Sequence, residues 1–222
     1  MANTSFGILS EATWGGTGID NNNAAITTIS VADPFTQNGD TITLGLEANP
    51  RGTPGILGNN STTATYFATT GSSAGHPALA NWNMGFFIGS SPDLTLSRYS
   101  FTLTYGLEGG SSATLNPMTI GDNKGAPNSA QNSENLGFSF LSIPLGGFDP
   151  NAVGIYDFTL TAYLGTVQNS TTLLGSDTAK VNVRSVPDGG NTLGLLGVAA
   201  CGLLVFKRAS NRRQSPATVS AK

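Results

Sequence analysis

Little of this chain is charged: Asp, Glu, Lys and Arg make up 10% of its 222 residues, against about 25% in an average globular protein. The surface must then be covered by Ser, Thr, Asn and Gly. The net charge of −3 and a pI near 4.9 leave no basic field for a nucleic-acid backbone, which argues against a nucleic-acid partner. Cysteine is represented by Cys201 alone, so no intramolecular disulfide can form and cysteine usage says nothing about compartment. Cys201 reads as a small residue packed in a helix. There is one histidine, His76, and no stretch before residue 186 offers the 3.6-residue stripe of an amphipathic helix. The first residues, Met1-Ala2-Asn3-Thr4-Ser5-Phe6-Gly7, lack the basic n-region and apolar h-region of a secretory signal. Two expectations stay open on that point. Either the true start lies upstream, or the chain is tail-anchored with a cytoplasmic body; a body rich in Thr, Asn and Gly favours the first.

What the chain does have is alternation with period two. Arg98 to Tyr105 places Tyr99, Phe101, Leu103 and Tyr105 opposite Ser100, Thr102 and Thr104, the pattern of a strand with one buried face. Ile42, Leu44 and Leu46 repeat it, as do Trp82, Met84, Phe86 and Ile88; Leu136, Phe138 and Phe140; Tyr156, Phe158 and Leu160; and Val181 and Val183. Weaker segments of the same kind run over 26–31, 64–69, 113–115 and 165–174. Turn clusters such as Asn38-Gly39-Asp40, Ser90-Ser91-Pro92-Asp93 and Gly146-Gly147 separate these segments. The expectation is an all-β, antiparallel β-sandwich, Ig-like or jelly-roll-like, over residues 1–185 as one domain. Asp149 to Phe158 is similar to the approach to a tyrosine corner, with Tyr156 at the strand start.

Chemistry is sparse in this pattern. His76 sits in Gly-Ser-Ser-Ala-Gly-His-Pro and has no partner at an identifiable spacing, so it reads as a solvated loop residue. No metal-ligand cluster, nucleophile elbow or phosphate loop is present, and no cofactor or enzymatic role is expected. Asp20-Asn21-Asn22-Asn23, Asp122-Asn123 and Asp149-Pro150-Asn151 could offer oxygens to Ca²⁺, but they read first as Asx turns. Trp82 belongs to a core row, whereas Trp14, beside flexible glycines, is the better candidate for an exposed face stacking on a sugar ring.

The C-terminal segment is organised differently. Val186, Pro187, Asp188, Gly189 and Gly190 make a polar turn. An apolar run follows, with Leu193, Leu195, Leu196, Val198, Leu203, Leu204 and Phe206; then come Lys207, Arg208, Arg212 and Arg213. At roughly 1.5 Å per residue, about 14 uncharged residues reach about 21 Å, short of the roughly 30 Å hydrocarbon core. The run nevertheless has no polar face, Lys207 can snorkel, and four basic residues follow within one short stretch. It reads as a transmembrane helix over 192–206 rather than a packed core helix, within a 186–213 signal and ahead of a polar tail over 214–222.

These residues together resemble a PEP-CTERM sorting domain of the VPDSG subtype. Gly189 departs from the usual order of that motif, and the tail from Ala209 to Lys222 is longer than usual. The resemblance covers about 25 residues. It implies a substrate of exosortase, a membrane-embedded cysteine transpeptidase or protease of bacteria that make exopolysaccharide. It further implies export, C-terminal processing and delivery to the cell surface or extracellular matrix, with exopolysaccharide as a possible partner. The function expected on this basis is a non-enzymatic surface or matrix protein, the alternative being a glycan-binding module anchored in the same way.

Overall fold

A computed structural model describes residues 3–16, 19–31, 39–53, 55–121, 128–165 and 172–186. The chain divides into two compact units, Met1–Ser185 and Val186–Lys222. The first unit is built from strands β1 (Asn3–Gly7), β2 (Ala24–Ser30), β3 (Thr41–Pro50), β4 (Gly58–Asn60), β5 (Thr65–Thr69), β6 (Ser72–Ser73), β7 (His76–Ala80), β8 (Trp82–Ser90), β9 (Tyr99–Leu107), β10 (Ser112–Leu115), β11 (Ser129–Glu134), β12 (Gly154–Leu164) and β13 (Thr172–Arg184). The only α-helical turn among the described residues is α1 (Ser139–Ser142).

The strands form a five-stranded sheet in the order β1-β2-β3-β8-β11, a six-stranded sheet in the order β10-β9-β12-β13-β5-β4, and the small β6-β7 pair. All-β architecture follows directly from the period-two rows. Ile42, Leu44 and Leu46 on β3, Trp82, Met84, Phe86 and Ile88 on β8, Phe101, Leu103 and Tyr105 on β9, and Tyr156, Phe158 and Leu160 on β12 all bury their side chains in one shared core. That core joins the two sheets face to face. Tyr66 on β5 crosses it and donates its hydroxyl to the carbonyls of Leu46, at 3.1 Å, and Asn23. Tyr156 stands near the start of β12, where its ring packs at 5.7 Å from both Trp82 and Phe148.

Three expectations are corrected. Among the described residues, pairing is antiparallel except between β5 and β13, which run parallel. A parallel neighbour needs a long crossover, and the hundred-odd residues between the two strands supply it. Leu136, Phe138 and Phe140 do not lie on a strand: the segment turns into α1, leaving Phe140 half exposed. The cause is Asn135, fully buried, whose Nδ2 donates to Ala80 O, Trp82 O and Asn83 Oδ1 while its Oδ1 accepts from the Ala80 and Gly137 amides. Those bonds occupy the backbone at the head of β8 and turn the chain away from the sheet. Finally, of the segment 165–174, Gly165 follows the end of β12 with φ of +108°, a value that favours glycine, residues 166–171 lie outside the described residues, and Thr172 to Leu174 open β13.

The outer face of the five-stranded sheet is also covered. The segment between β1 and β2 folds over it, and Leu9, Ala12, Trp14, Ala24 and Phe87 form a second apolar cluster there. Gln131 on β11 clamps this segment by accepting the Thr13 and Trp14 amides at 2.7 and 2.8 Å.

Candidate functional site

The end of the β unit and the start of the C-terminal motif are adjacent. Arg184 closes β13: its guanidinium lies 4.6 Å from the centre of the Phe67 ring, and its carbonyl accepts the Thr70 amide at 2.8 Å. Two residues later Val186 is 58% exposed, so the first residue of the expected sorting motif projects from the sheet into solvent. Pro187, Asp188, Gly189 and Gly190 lie outside the described residues. So do the apolar residues Leu193, Leu195, Leu196, Val198, Leu203, Leu204 and Phe206, and the basic residues Lys207, Arg208, Arg212 and Arg213. Among the described residues no helix is long and apolar enough to cross a membrane.

An open cleft of about 800 Å³ lies beside the β3–β4 connection, lined by Arg51, Ser72, Ser73, His76, Asn81 and Asn83 together with the apolar Pro50, Leu57 and Ala74. The β6–β7 turn places His76 at its exposed rim. Arg51 donates to Asn83 Oδ1 at 3.5 Å, and its guanidinium stands 5.6 Å from the Phe138 ring, which in turn stacks on Phe140 at 6.0 Å. His76 has no carboxylate hydrogen-bonded to it among the described residues, so this cleft holds no base-and-orienter pair. Its amides, hydroxyls and single guanidinium can bind a polar ligand.

Trp14 is corrected in the opposite sense. Its indole is 0% exposed and therefore offers no face to a sugar. Two glycines on neighbouring strands make its slot: a Cβ on Gly85 would stand 2.8 Å from Trp14 Cε3, and one on Gly45 would stand 3.5 Å from Trp14 Cη2. Of the Asx clusters, Asp20 Oδ1 accepts the Asn22 amide at 2.7 Å and Asp149 Oδ1 accepts the Asn151 amide at 2.9 Å, both ordinary Asx turns. Asp122 and Asn123 lie outside the described residues.

Sequence reasoning missed two buried carboxyls. Asp177 on β13 points between the sheets with 0% exposure and accepts the Thr27 hydroxyl at 3.0 Å. Burial pushes its carboxyl up to about 7, against hydrogen bonds from Thr27 and the backbone at Thr178 and Leu46 that pull the other way. Glu47 on β3 is 1% exposed, and burial first, the Asp20 charge second, push it up to about 8. The phenol of Tyr66 is raised by its own burial and then by Glu47. In the sequence, Glu47 occupies a polar position of an alternating strand, which reads as solvent-facing, whereas Asp177 falls in phase with Ala179, Val181 and Val183 on the buried face of β13. Among the described residues, no three His, Cys, Asp or Glu side chains converge as a metal cluster. Neither a protein-family model nor a curated protein sequence matches this chain.

Proposed function

We propose that this chain is an exported, non-enzymatic surface or matrix protein: a β-sandwich body followed by a C-terminal sorting segment with one membrane helix, processed there by an exosortase. The observation that carries this reading is the junction at Arg184 to Val186. The last strand is fully paired up to Arg184, and the motif begins in solvent immediately afterwards. Reaching Val186 requires no strand to unfold, and Pro187 keeps the residue before it extended rather than helical. Leu193 to Phe206 holds the chain in the bilayer while Lys207, Arg208, Arg212 and Arg213 set its orientation. Replacing Val186-Pro187-Asp188 by three alanines is expected to abolish C-terminal processing and leave full-length protein in the membrane fraction, measured by intact mass and fractionation. Unchanged processing and surface delivery would overturn the reading.

The cleft favours a second reading, that the body binds an anionic glycan. Arg51 would meet a carboxylate or sulfate, the amides of Asn81 and the hydroxyls of Ser72 and Ser73 would meet sugar hydroxyls, and Phe138 and Phe140 form the adjoining aromatic step. Losing a charge-assisted hydrogen bond costs about 1.5–3 kcal/mol, so Arg51→Ala should weaken retention on an immobilised acidic polysaccharide roughly tenfold or more. Retention by the variant equal to that of the parent would remove the cleft from consideration.

A further inference from the structure

We propose that the polar strip on the outer face of β3 is a divalent-cation site, in which Glu47 and Asn49 from the strand and Asp20 from the covering segment bind Ca²⁺ through oxygen. Strand alternation places Glu47 and Asn49 on one face, two residues apart, on the side away from the main core. The segment between β1 and β2 roofs that face, and it carries Asp20. Glu47 is 1% exposed and Asn49 3%. Neither carboxylate oxygen of Glu47, nor Oδ1 or Nδ2 of Asn49, has a hydrogen-bond partner among the described residues. Burying one such group without compensation is costly, and here four polar atoms of two adjacent side chains share the same fate.

The chemistry of the donors narrows the ligand. The Asp20 charge disfavours ionisation of Glu47, which is the repulsion that a bound cation would relieve. The Asx turn fixes the Asp20 carboxylate through Oδ1. All the candidate ligands are hard oxygens, with no imidazole or thiolate, which argues against zinc and copper. A glutamate with both oxygens free can chelate through both, an arrangement suited to the six to eight ligands of Ca²⁺ and poorly suited to the octahedron of Mg²⁺. Trp14 Nε1 is also buried without a partner; as a donor it stands outside the ligand set.

The test is thermal unfolding of the full chain in CaCl₂ against NaCl at matched ionic strength, together with equilibrium dialysis of ⁴⁵Ca. At about a hundred times Kd, Ca²⁺ should raise the midpoint by roughly 5–10 °C, with one ion retained per chain. Glu47→Gln, which keeps size and hydrogen-bonding capacity, should lose both effects while remaining folded by circular dichroism, and Asn49→Leu should reduce them. No midpoint shift and no retained ion in the parent protein would overturn the proposal and leave a proton as the only cation Glu47 holds. A Ca²⁺ shift undiminished in Glu47→Gln would overturn it equally, by placing the ion elsewhere.

Discussion

Trp82→Ala is expected to cost about 3–5 kcal/mol of folding stability, the range for removing a large aromatic from a packed core. Against a total of about 5–15 kcal/mol for a domain, that is enough to leave much of the protein unfolded at 37 °C. The side chain is 2% exposed and lies at the head of β8, where the two sheets meet. Its ring packs edge-on against Phe148 at 6.5 Å and Phe158 at 6.4 Å, and tilted against Tyr156 at 5.7 Å. Alanine would leave a cavity bounded by three other aromatic rings, which cannot all collapse into it. The Trp82 carbonyl also receives Asn135 Nδ2 at 2.8 Å, so local relaxation would disturb the bonds that turn residues 135–142 away from the sheet. Urea denaturation provides the measurement, and Trp82→Phe should cost distinctly less. An alanine variant with the parent midpoint would contradict the packing described for this residue.

With divalent ions chelated, the protein is expected to lose stability as pH rises from about 4 to about 8, opposite to the usual behaviour of paired carboxylates. The sign follows from the buried acids. Asp177 and Glu47 have folded-state values of about 7 and about 8, above their ordinary 3.8 and 4.5. Between those limits the native state binds more protons than the unfolded chain, so unfolding becomes easier with each step in pH. Each group contributes at most about 1.4 kcal/mol per pH unit within its own window. The contribution of neutral Asp177 is complete below about pH 4 and exhausted above about 7; that of Glu47 extends one unit further. Thermal midpoints between pH 5 and 8.5 in EDTA should therefore fall for the parent and stay nearly level for the double variant Asp177→Asn with Glu47→Gln. A parent midpoint that rises over this interval would show that these carboxyls are ionised and satisfied in the folded state.

The strand rows that were legible in sequence share one property: their polar partners face outward and their apolar residues face a single core. Ile42 to Leu46, Trp82 to Ile88, Tyr99 to Tyr105 and Tyr156 to Leu160 were readable for that reason. Leu136 to Phe140 carried the same alternation and failed as a strand because Asn135, a residue ordinarily read as a turn former, spends its whole hydrogen-bonding capacity inside the protein. Trp14 carried a signal that could have been used. Glycines within strands mark places where something approaches closely, and Gly45 and Gly85 do so for its indole. The cleft around Arg51 had no local signature, since its lining comes from four separate stretches between Pro50 and Asn83.

By itself the sequence determined the all-β class and the inward face of most long strands, because alternation and composition are local properties of the chain. Tertiary structure alone decided that the outward face of β3 is roofed and that Glu47 and Asn49 on it are buried. Whether a polar position meets water depends on which distant segment folds over it, and no period in the sequence encodes that contact.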